Sequence, residues 1–522
     1  MTVLAILKLV SLLTWAFYIG QRMLKTIHML QLNSYRNTRL WTWYTRNFMR
    51  TVHVLHVLPV VAIVLLFSDY ERLAYACWIA AFLLLAITFP KEVEKKKLVY
   101  TPRVIRLIVT TSIVLIVGVA LLATTSLIAL TVLFLVALLP TFVLFLTNTI
   151  NRPIELAINR YYVNDAKRKI KQHTQLQVIG ITGSFGKTSV KHFLSTLISN
   201  SFHTLMTPGS FNTPNGVTMT IRANLQPVHE VFICEMGAKQ RGDIREICDI
   251  VHPKYGIITS IGEQHLETFK SLDTIKATKF ELVESLPADG VAFLNMDDEN
   301  IASQLEKSKL QCKVVTFGSS NADVDYFAAD LRYSPNGCTF TVKCRDGEQQ
   351  EFETVLLGDH NIQNLIACIA VGHTLGISLE KLSAVTRKVR PVKHRLELKR
   401  SGKITIMDDS FNSNPVGSKA ALDVLAQMPG HKVLITPGMI ELGEKEYTYN
   451  YAFAEAAAKV CDTIILVGPK QTKPMQDALQ AVGYSPYYVA KHLQEALTQM
   501  HTITAEDMVV LLENDLPDNY NE

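Results

Sequence analysis

Cysteine is scarce and unpatterned. Eight occur in 522 residues, at 77, 234, 248, 312, 338, 344, 368 and 461, with no CxxC pair and no histidine at zinc-ligand spacing. That excludes a zinc ribbon and a disulfide framework and points to a reduced compartment. Charge is thin as well, at 19% of residues, and 52 Lys+Arg against 47 Asp+Glu leave only +5. No basic stretch is interleaved with aromatics, so nucleic acid drops out as a partner. Apolar runs of membrane-spanning length are missing after residue 150, so any lipid-facing part belongs to the first third. What the chain does have is length, which at about 150 residues per domain predicts three to four domains.

The first third is oily, with apolar runs at about 3–19, 52–67, 74–89, 105–123 and 127–147. Read as spans these give a five-helix transmembrane domain over 1–150; the two shorter runs could instead form a re-entrant hairpin. The loops after the first and third runs are basic (Arg22, Lys25, Arg36, Arg39; Lys91, Lys95, Lys96, Lys97), and so is the exit near Arg152 and Arg160. Basic loops resist translocation. The expectation is therefore a multi-pass protein of the cell membrane, with its N-terminus outside, its bulk cytoplasmic and membrane lipid as a partner.

Residues 151–174 repeat apolar positions every three to four residues, which predicts an amphipathic linking helix. Beyond it the texture becomes β-branched. Val178-Ile179-Gly180-Ile181 runs into Thr182-Gly183-Ser184-Phe185-Gly186-Lys187-Thr188-Ser189 and then into the helical pattern Val190, Phe193, Leu194, Leu197. Further short strands at 231–234, 255–259, 291–294, 433–436 and 463–467 alternate with helical stretches, which predicts parallel α/β domains. A more antiparallel stretch at about 312–357 reads as an extension of the same sheet. A strand feeding a glycine loop into a helix aims several backbone N–H groups at one point, and Lys187 adds a mobile charge for phosphate. The longer GxxxxGK[ST] pattern fails because Ile181 stands where its first glycine would be; the match is to GxxGK[ST].

Further motifs follow in order: Ser210-Phe211-Asn212-Thr213-Pro214-Asn215-Gly216, Glu235-Met236-Gly237, His265-Leu266-Glu267, Lys279-Phe280-Glu281, Gly358-Asp359-His360-Asn361 with Asn364, Arg395-Leu396-Glu397, Asp408-Asp409-Ser410-Phe411-Asn412-Ser413-Asn414-Pro415, and Glu441-Leu442-Gly443. With these the chain resembles the Mur ligase family, ATP-dependent enzymes that form amide bonds in peptidoglycan precursors, and within it the branch that adds D-alanyl-D-alanine. The resemblance covers about 175–522. It implies an ATP-binding central domain at 175–390 and a Rossmann-like α/β C-terminal domain at 391–522.

It also implies roles. Gly183, Ser184, Gly186, Lys187, Thr188 and Ser189 would cradle ATP phosphates. Thr188, Glu235, His265 and Lys279, the last as a carbamate, would support Mg²⁺. His360, Asn361 and Asn364 would meet adenine, Arg395 the γ-phosphate and Asp409 the nucleotide. Asn212, Asn215, Asn412 and Asn414 would meet substrate. Lys187, Lys279, His265 and Arg395 form the catalytic set, with no evident general base. The implied reaction activates a carboxylate as an acyl phosphate, which an amine then attacks. Two departures stand out. Membrane runs replace the family's soluble domain for the UDP end of the substrate, which makes a lipid-linked envelope carboxylate attractive. Asn450 stands where related ligases often carry His. The alternatives are a ligase acting on uronic acids or a peptide polymer, and a non-catalytic membrane scaffold.

Overall fold

The computed structural model describes the chain except residues 1–2, 49–51, 53, 68–69, 90–96, 123–125, 264–265, 335–336, 412, 441, 504, 506 and 515–522. It separates into two units, Met1–Tyr161 and Tyr162–Glu522.

The first unit is helical, with Val3–Leu32, Asn37–Arg46, Leu58–Leu66, Glu71–Ile87, Pro102–Leu122 and Ser126–Leu138 followed by the start of Pro140–Gln172. Its core gathers Trp15, Tyr18, Trp78, Phe82 and Leu133. The expected five spans and multi-pass, N-terminus-outside placement do not survive. Among the described residues only Val3–Leu32 and Pro102–Leu121 are long and apolar enough to cross a membrane, or three crossings if one bent pair counts as a span. Leu58–Leu66 has nine residues; at about 1.5 Å per residue it covers less than half of a hydrocarbon core about 30 Å thick. The fifth run is not one helix either. Pro140 opens a new one, and the pair Leu127–Leu138 and Pro140–Gln172 bends by 83°. Proline has no N–H to continue the preceding helix. The linking helix therefore starts earlier than expected and carries Pro153 in its interior.

The second unit holds two sheets. The larger runs in the order β2-β3-β1-β4-β5-β6-β7-β8-β9, with β1 Gln177–Thr182, β2 Thr204–Met206, β3 Val231–Glu235, β4 Tyr255–Ile258, β5 Val291–Asn295, β6 Lys313–Gly318, β7 Tyr326–Ser334, β8 Gly337–Cys344 and β9 Gln349–Thr354. Strands β1 to β6 pair in parallel, β7 joins β6 in parallel, and β8 and β9 extend the edge antiparallel. The period of two along each strand explains why both faces are covered. Ile179, Ile181, Val231, Ile233, Ile257 and Phe293 face one core with the helices Lys187–Ile198 and Asp359–Thr374. Val178, Phe232, Cys234, Ile258, Ala292 and Leu294 face the other, with Ile221, Ile247 and Phe280. Phe193, Phe293, Phe317, Phe340 and Phe352 are fully buried, each contributing about 1.5–3 kcal/mol.

The smaller sheet runs β10-β11-β15-β12-β13-β14, with β10 Glu397–Ser401, β11 Ile404–Asp409, β12 His431–Thr436, β13 Thr463–Val467, β14 Tyr487–Ala490 and β15 Met508–Glu513. All its pairs are parallel except β10 with β11. The last strand of the chain thus lies in the middle of the sheet. The carboxyl ends of such strands are where open α/β sheets take ligands.

Candidate active site

Strand β1 lies between β3 and β4, so the loop leaving Thr182 emerges at the centre of the sheet's carboxyl edge. Only glycine fits its two turns. Gly183 and Gly186 have φ of +155° and +81°, and a Cβ there would lie 2.0 Å from Thr259 Oγ1 and 2.4 Å from Asn364 Oδ1. The Ser184 hydroxyl donates to Gly262 O (2.9 Å) and accepts from Gly262 N (3.0 Å), which ties the loop to the turn after β4. Lys187 opens the helix Lys187–Ile198 and folds back to donate from Nζ to Gly183 O (2.6 Å) and Ser184 O (3.0 Å). Burial lowers its ammonium to about 8; Glu235 opposes that shift and Arg395 adds to it. Ser189 is buried in the same first turn.

Glu235 ends β3 beside this loop and is 1% exposed. Its Oε1 accepts from Thr188 Oγ1 (3.2 Å) and Asn212 Nδ2 (2.9 Å). Its Oε2 lies 2.9 Å from Lys191 Nζ, which also donates to Gly209 O at 2.6 Å. Burial pushes this carboxyl up, but Lys191 and Lys187 more than offset it and keep it ionised. Lys279, on the helix Leu272–Glu284, is buried too. Burial first, and the Lys187 charge second, drive its ammonium well below the usual lysine range. Asn215 is exposed at the start of the helix Pro214–Asn224, whose Thr213 cap accepts from Gly216 N. His265, Asn412 and Glu441 lie outside the described residues.

The helix Asp359–Thr374 brings its first turns to the same region. Asn364 packs against Gly186, as its close approach to that glycine shows, and Asn361 Nδ2 donates to Leu357 O at 2.8 Å. His360 borders a cavity of about 200 Å³ shared with Tyr333, Asp359, Asp423 and Gln427. Its Nδ1 is buried and has no hydrogen-bond partner among the described residues. Burial lowers the imidazole to about 4, so the ring is neutral near pH 7 and that nitrogen can accept.

Arg395 reaches the site from the crossing between the sheets. It is flanked by His394 and Leu396 at φ of +62° and +48°, left-handed conformations that cost free energy in non-glycine residues. They are held by contacts on both sides. Leu396 N donates to Asp409 Oδ1 (3.1 Å), and His394 Nδ1 lies 2.7 Å from Asp408 Oδ2. The Arg395 guanidinium sits 4.8 Å from the Phe411 ring centroid, and burial lowers its pKa against the pull of Asp409 and Glu235. Burial raises Asp409 to about 6. Burial also pushes Asp408 up, yet hydrogen bonds from Lys399, Ser410 and His394 outweigh it and hold that carboxyl at about 2. His394, Glu397 and Asp408 come close enough to share an ion, but the Lys399 ammonium already stands 2.6 and 3.1 Å from the two carboxylates.

One expected substrate position, Asn414, and the departure at Asn450 both have structural uses. Asn414 caps the helix Pro415–Gln427, accepting from Gly417 N at 2.8 Å. Asn450 is buried and pins Met439 through N–H and C=O, at 2.7 and 2.9 Å. Sequence reasoning missed Lys191, though it lies four residues after Lys187 and so on the same helix face. It missed Glu263 as well, which accepts from Lys445 (2.6 Å) and Tyr449 (2.5 Å) and joins the turn after β4 to the smaller sheet's half.

Comparison with known proteins agrees with this layout. The Mur ligase middle domain matches residues 181–372, and the Mur ligase glutamate ligase domain matches 394–512. The UDP-N-acetylmuramoyl-tripeptide–D-alanyl-D-alanine ligase of Escherichia coli K12 is 28% identical over 372 residues, which are 70% of this chain and 80% of the relative. The enzyme of the same name from Bacillus subtilis 168 is 31% identical over 282 residues, 53% of this chain and 60% of that one. A crystal structure of MurF from Acinetobacter baumannii superposes with a TM-score of 0.62 at 27% identity, covering 70% of this chain and 78% of that one. A MurF ligase of Thermotoga maritima in complex with ADP shares the fold, with a TM-score of 0.61 at 22% identity and coverage of 68% and 80%. Both domain matches lie within the second unit, which carries the glycine loop, Glu235, Lys279 and Arg395, and the chain belongs to the Mur ligase family of ATP-dependent, amide-bond-forming ligases.

Proposed function

We propose that the chain joins the amine of D-alanyl-D-alanine to a peptide carboxylate of a peptidoglycan precursor at the expense of ATP. The observation that carries this reading is the buried carboxylate Glu235 in contact with Thr188 of the glycine loop, Asn212 and Lys191, with Lys187 and Arg395, from the two halves of the second unit, close enough to bear on its charge. An enclosed site with an excess of cationic side chains suits a polyphosphate. The cavity beside His360 suits the base, with the neutral Nδ1 accepting from an exocyclic amine. Members of the family use ATP and Mg²⁺. The donor set fits the metal, because a hard cation asks for oxygen and Thr188 and Glu235 already lie in contact. Mg²⁺ there would neutralise phosphate charge, and Lys279, as a carbamate, together with His265 would extend its support.

In the reaction the precursor's carboxylate attacks the γ-phosphorus and ADP leaves. The amine then attacks the acyl phosphate and expels inorganic phosphate. The chain's own part is positioning and charge: Lys187 and Arg395 hold the transferring phosphoryl group, and the loops at Asp409 and Asn414 bring the amine alongside. The precursor is the nucleotide-sugar peptide for which the relatives are named. The lipid-linked alternative rested on membrane runs standing in place of the family's domain for the UDP end, and the relatives' names give it no support.

The test is phosphate release from ATP by the full chain, with and without Lys187→Ala, across amines and carboxylates that include D-alanyl-D-alanine and UDP-muramoyl tripeptide. Release that needs both substrates and Lys187 is the expected result. ATP bound without turnover under every pairing would overturn the reading in favour of a scaffold.

A further inference from the structure

We propose that Glu513 and Asn514, at the carboxyl end of β15, are positioning residues that hold together the two loops receiving the amine, 410–418 and 436–442. The proposal deepens the ligase reading above and rests on it.

Strand β15 lies between β11 and β12, so its last residues emerge between the two loops that those neighbours feed. Glu513 is 1% exposed. Its Oε1 accepts from the hydroxyls of Ser413 and, at 2.9 Å, Ser418, and Thr436 Oγ1 stands 3.4 Å from Oε2. The Ser413 and Ser418 hydroxyls are themselves 2.8 Å apart. One carboxyl thus gathers three hydroxyls, Ser413 from the first loop, Ser418 from the opening turn of the helix it leads into and Thr436 from the base of the second. It is not a helix cap, since Asn414 already performs that task for the helix Pro415–Gln427. Asn514 does the same with its amide. Its Oδ1 accepts from Ser413 N (3.3 Å) and its Nδ2 donates to Gly438 O (2.6 Å). To reach both, its backbone adopts φ of +69°, where asparagine is tolerated better than most residues.

The arrangement is costly, which argues against an incidental role. Burial raises the Glu513 carboxyl to about 8, its three hydroxyl partners only partly offset this, and Asp409, paired with it across the strands, adds to the shift. Of the charged groups around it, Asp409 on β11 faces it, and Arg395 in turn faces Asp409. A carboxyl kept protonated can both donate and accept within the hydroxyl cluster, which fixes the loops more fully than an anion would. The second loop is further pinned by Asn450 at Met439. Ser418 reaches Met439 Sδ at 3.4 Å. The two loops therefore move as one body, and anything bound between them meets a preformed surface.

The experiment compares wild type, Glu513→Ala, Glu513→Gln and Asn514→Gly. Glycine favours the left-handed backbone at 514, so that variant keeps the fold and loses only the amide's bonds. Two readouts are taken on the full chain: KM for D-alanyl-D-alanine and for ATP from phosphate release, and hydrogen exchange of the amides in 410–418 and 436–442. In Glu513→Ala and Asn514→Gly the amine KM should rise at least tenfold with the ATP KM within twofold, and exchange should quicken in both loops but not in β11 or β12. Glu513→Gln should stay near wild type in both. Equal rises in the two KM values, or unchanged loop exchange in Asn514→Gly, would overturn the proposal. If wild type itself releases no phosphate, the ligase reading falls and the amine-holding role falls with it, while the exchange data alone decide whether the pair clamps the loops.

Discussion

Lys191 and Glu235 form an ion pair of 2.9 Å with both side chains at or below 2% exposure. The ammonium is also bonded to Gly209 O, so it links the β3 carboxylate to the loop that precedes Asn212. Breaking a buried pair by removing one partner leaves a charge without compensation and costs about 3–5 kcal/mol. Lys191→Met should lose stability of that order in urea denaturation. A divalent cation bound with nucleotide at Glu235 would replace part of the missing charge, so Mg²⁺ and ADP should narrow the gap. An equal loss with and without them would mean that Glu235 does not meet the metal.

Gly186→Ala should abolish ADP binding measured by calorimetry. Its φ of +81° disfavours any side chain, and the added methyl would press on Asn364 Oδ1 at 2.4 Å, forcing apart the loop and the helix that presents His360. The stability cost should be only about 1–2 kcal/mol, because the sheet below is untouched. A variant that binds ADP normally would remove this loop from the nucleotide site.

Much of the second unit was legible because its signals are local. The run Val178–Ile181 and the glycine loop after it became β1 and its turn, and five further expected strands appear within two residues of their places. What stayed hidden depends on long-range packing. The edge strand Thr204–Met206 is too short to announce itself, and nothing near Glu513 in the sequence shows that the last strand lies centrally between β11 and β12. The first unit failed for a different reason. Hydropathy marks where apolar residues lie, not whether one helix runs through them, and Pro140 and the short Leu58–Leu66 break the expected spans. Lys191 escaped notice because a lysine on a helix face reads as solvated, while only the fold puts Glu235 opposite it.

The neutral state of His360 has a consequence for acid stability. Burial lowers the folded-state pKa to about 4, below the usual 6.5 of an unfolded chain. The unfolded state therefore takes up the proton first as pH falls. The contribution is complete above pH 6.5 and is lost progressively toward pH 4, by roughly 2 kcal/mol at pH 5. His360→Gln should lack that part of the acid slope in urea titrations at pH 7 and pH 5. This histidine should give the wild type's ADP affinity no pH dependence between pH 6 and 8, since the ring is neutral throughout.

Glu513 should act in the opposite direction on the other side of neutrality. Its folded-state pKa is raised to about 8 from 4.5, so the folded protein holds a proton that the unfolded chain has already released. The stability that this proton brings is complete below about pH 4.5 and is lost as pH rises through 8, at about 1.4 kcal/mol per unit inside the window. Glu513→Gln, which keeps the shape and cannot ionise, should remove that slope. The two proteins should diverge steadily between pH 5 and 8 in denaturant titrations, with the variant the more stable at the alkaline end. Asp409, raised to about 6, tilts the wild-type curve the same way at lower pH and remains in the variant, so the difference between the curves isolates Glu513. Parallel curves across that window would mean that the carboxyl is ionised in the folded protein. Ser413 and Ser418 would then be donating to an anion, and the loops would be held by charge rather than by a shared proton.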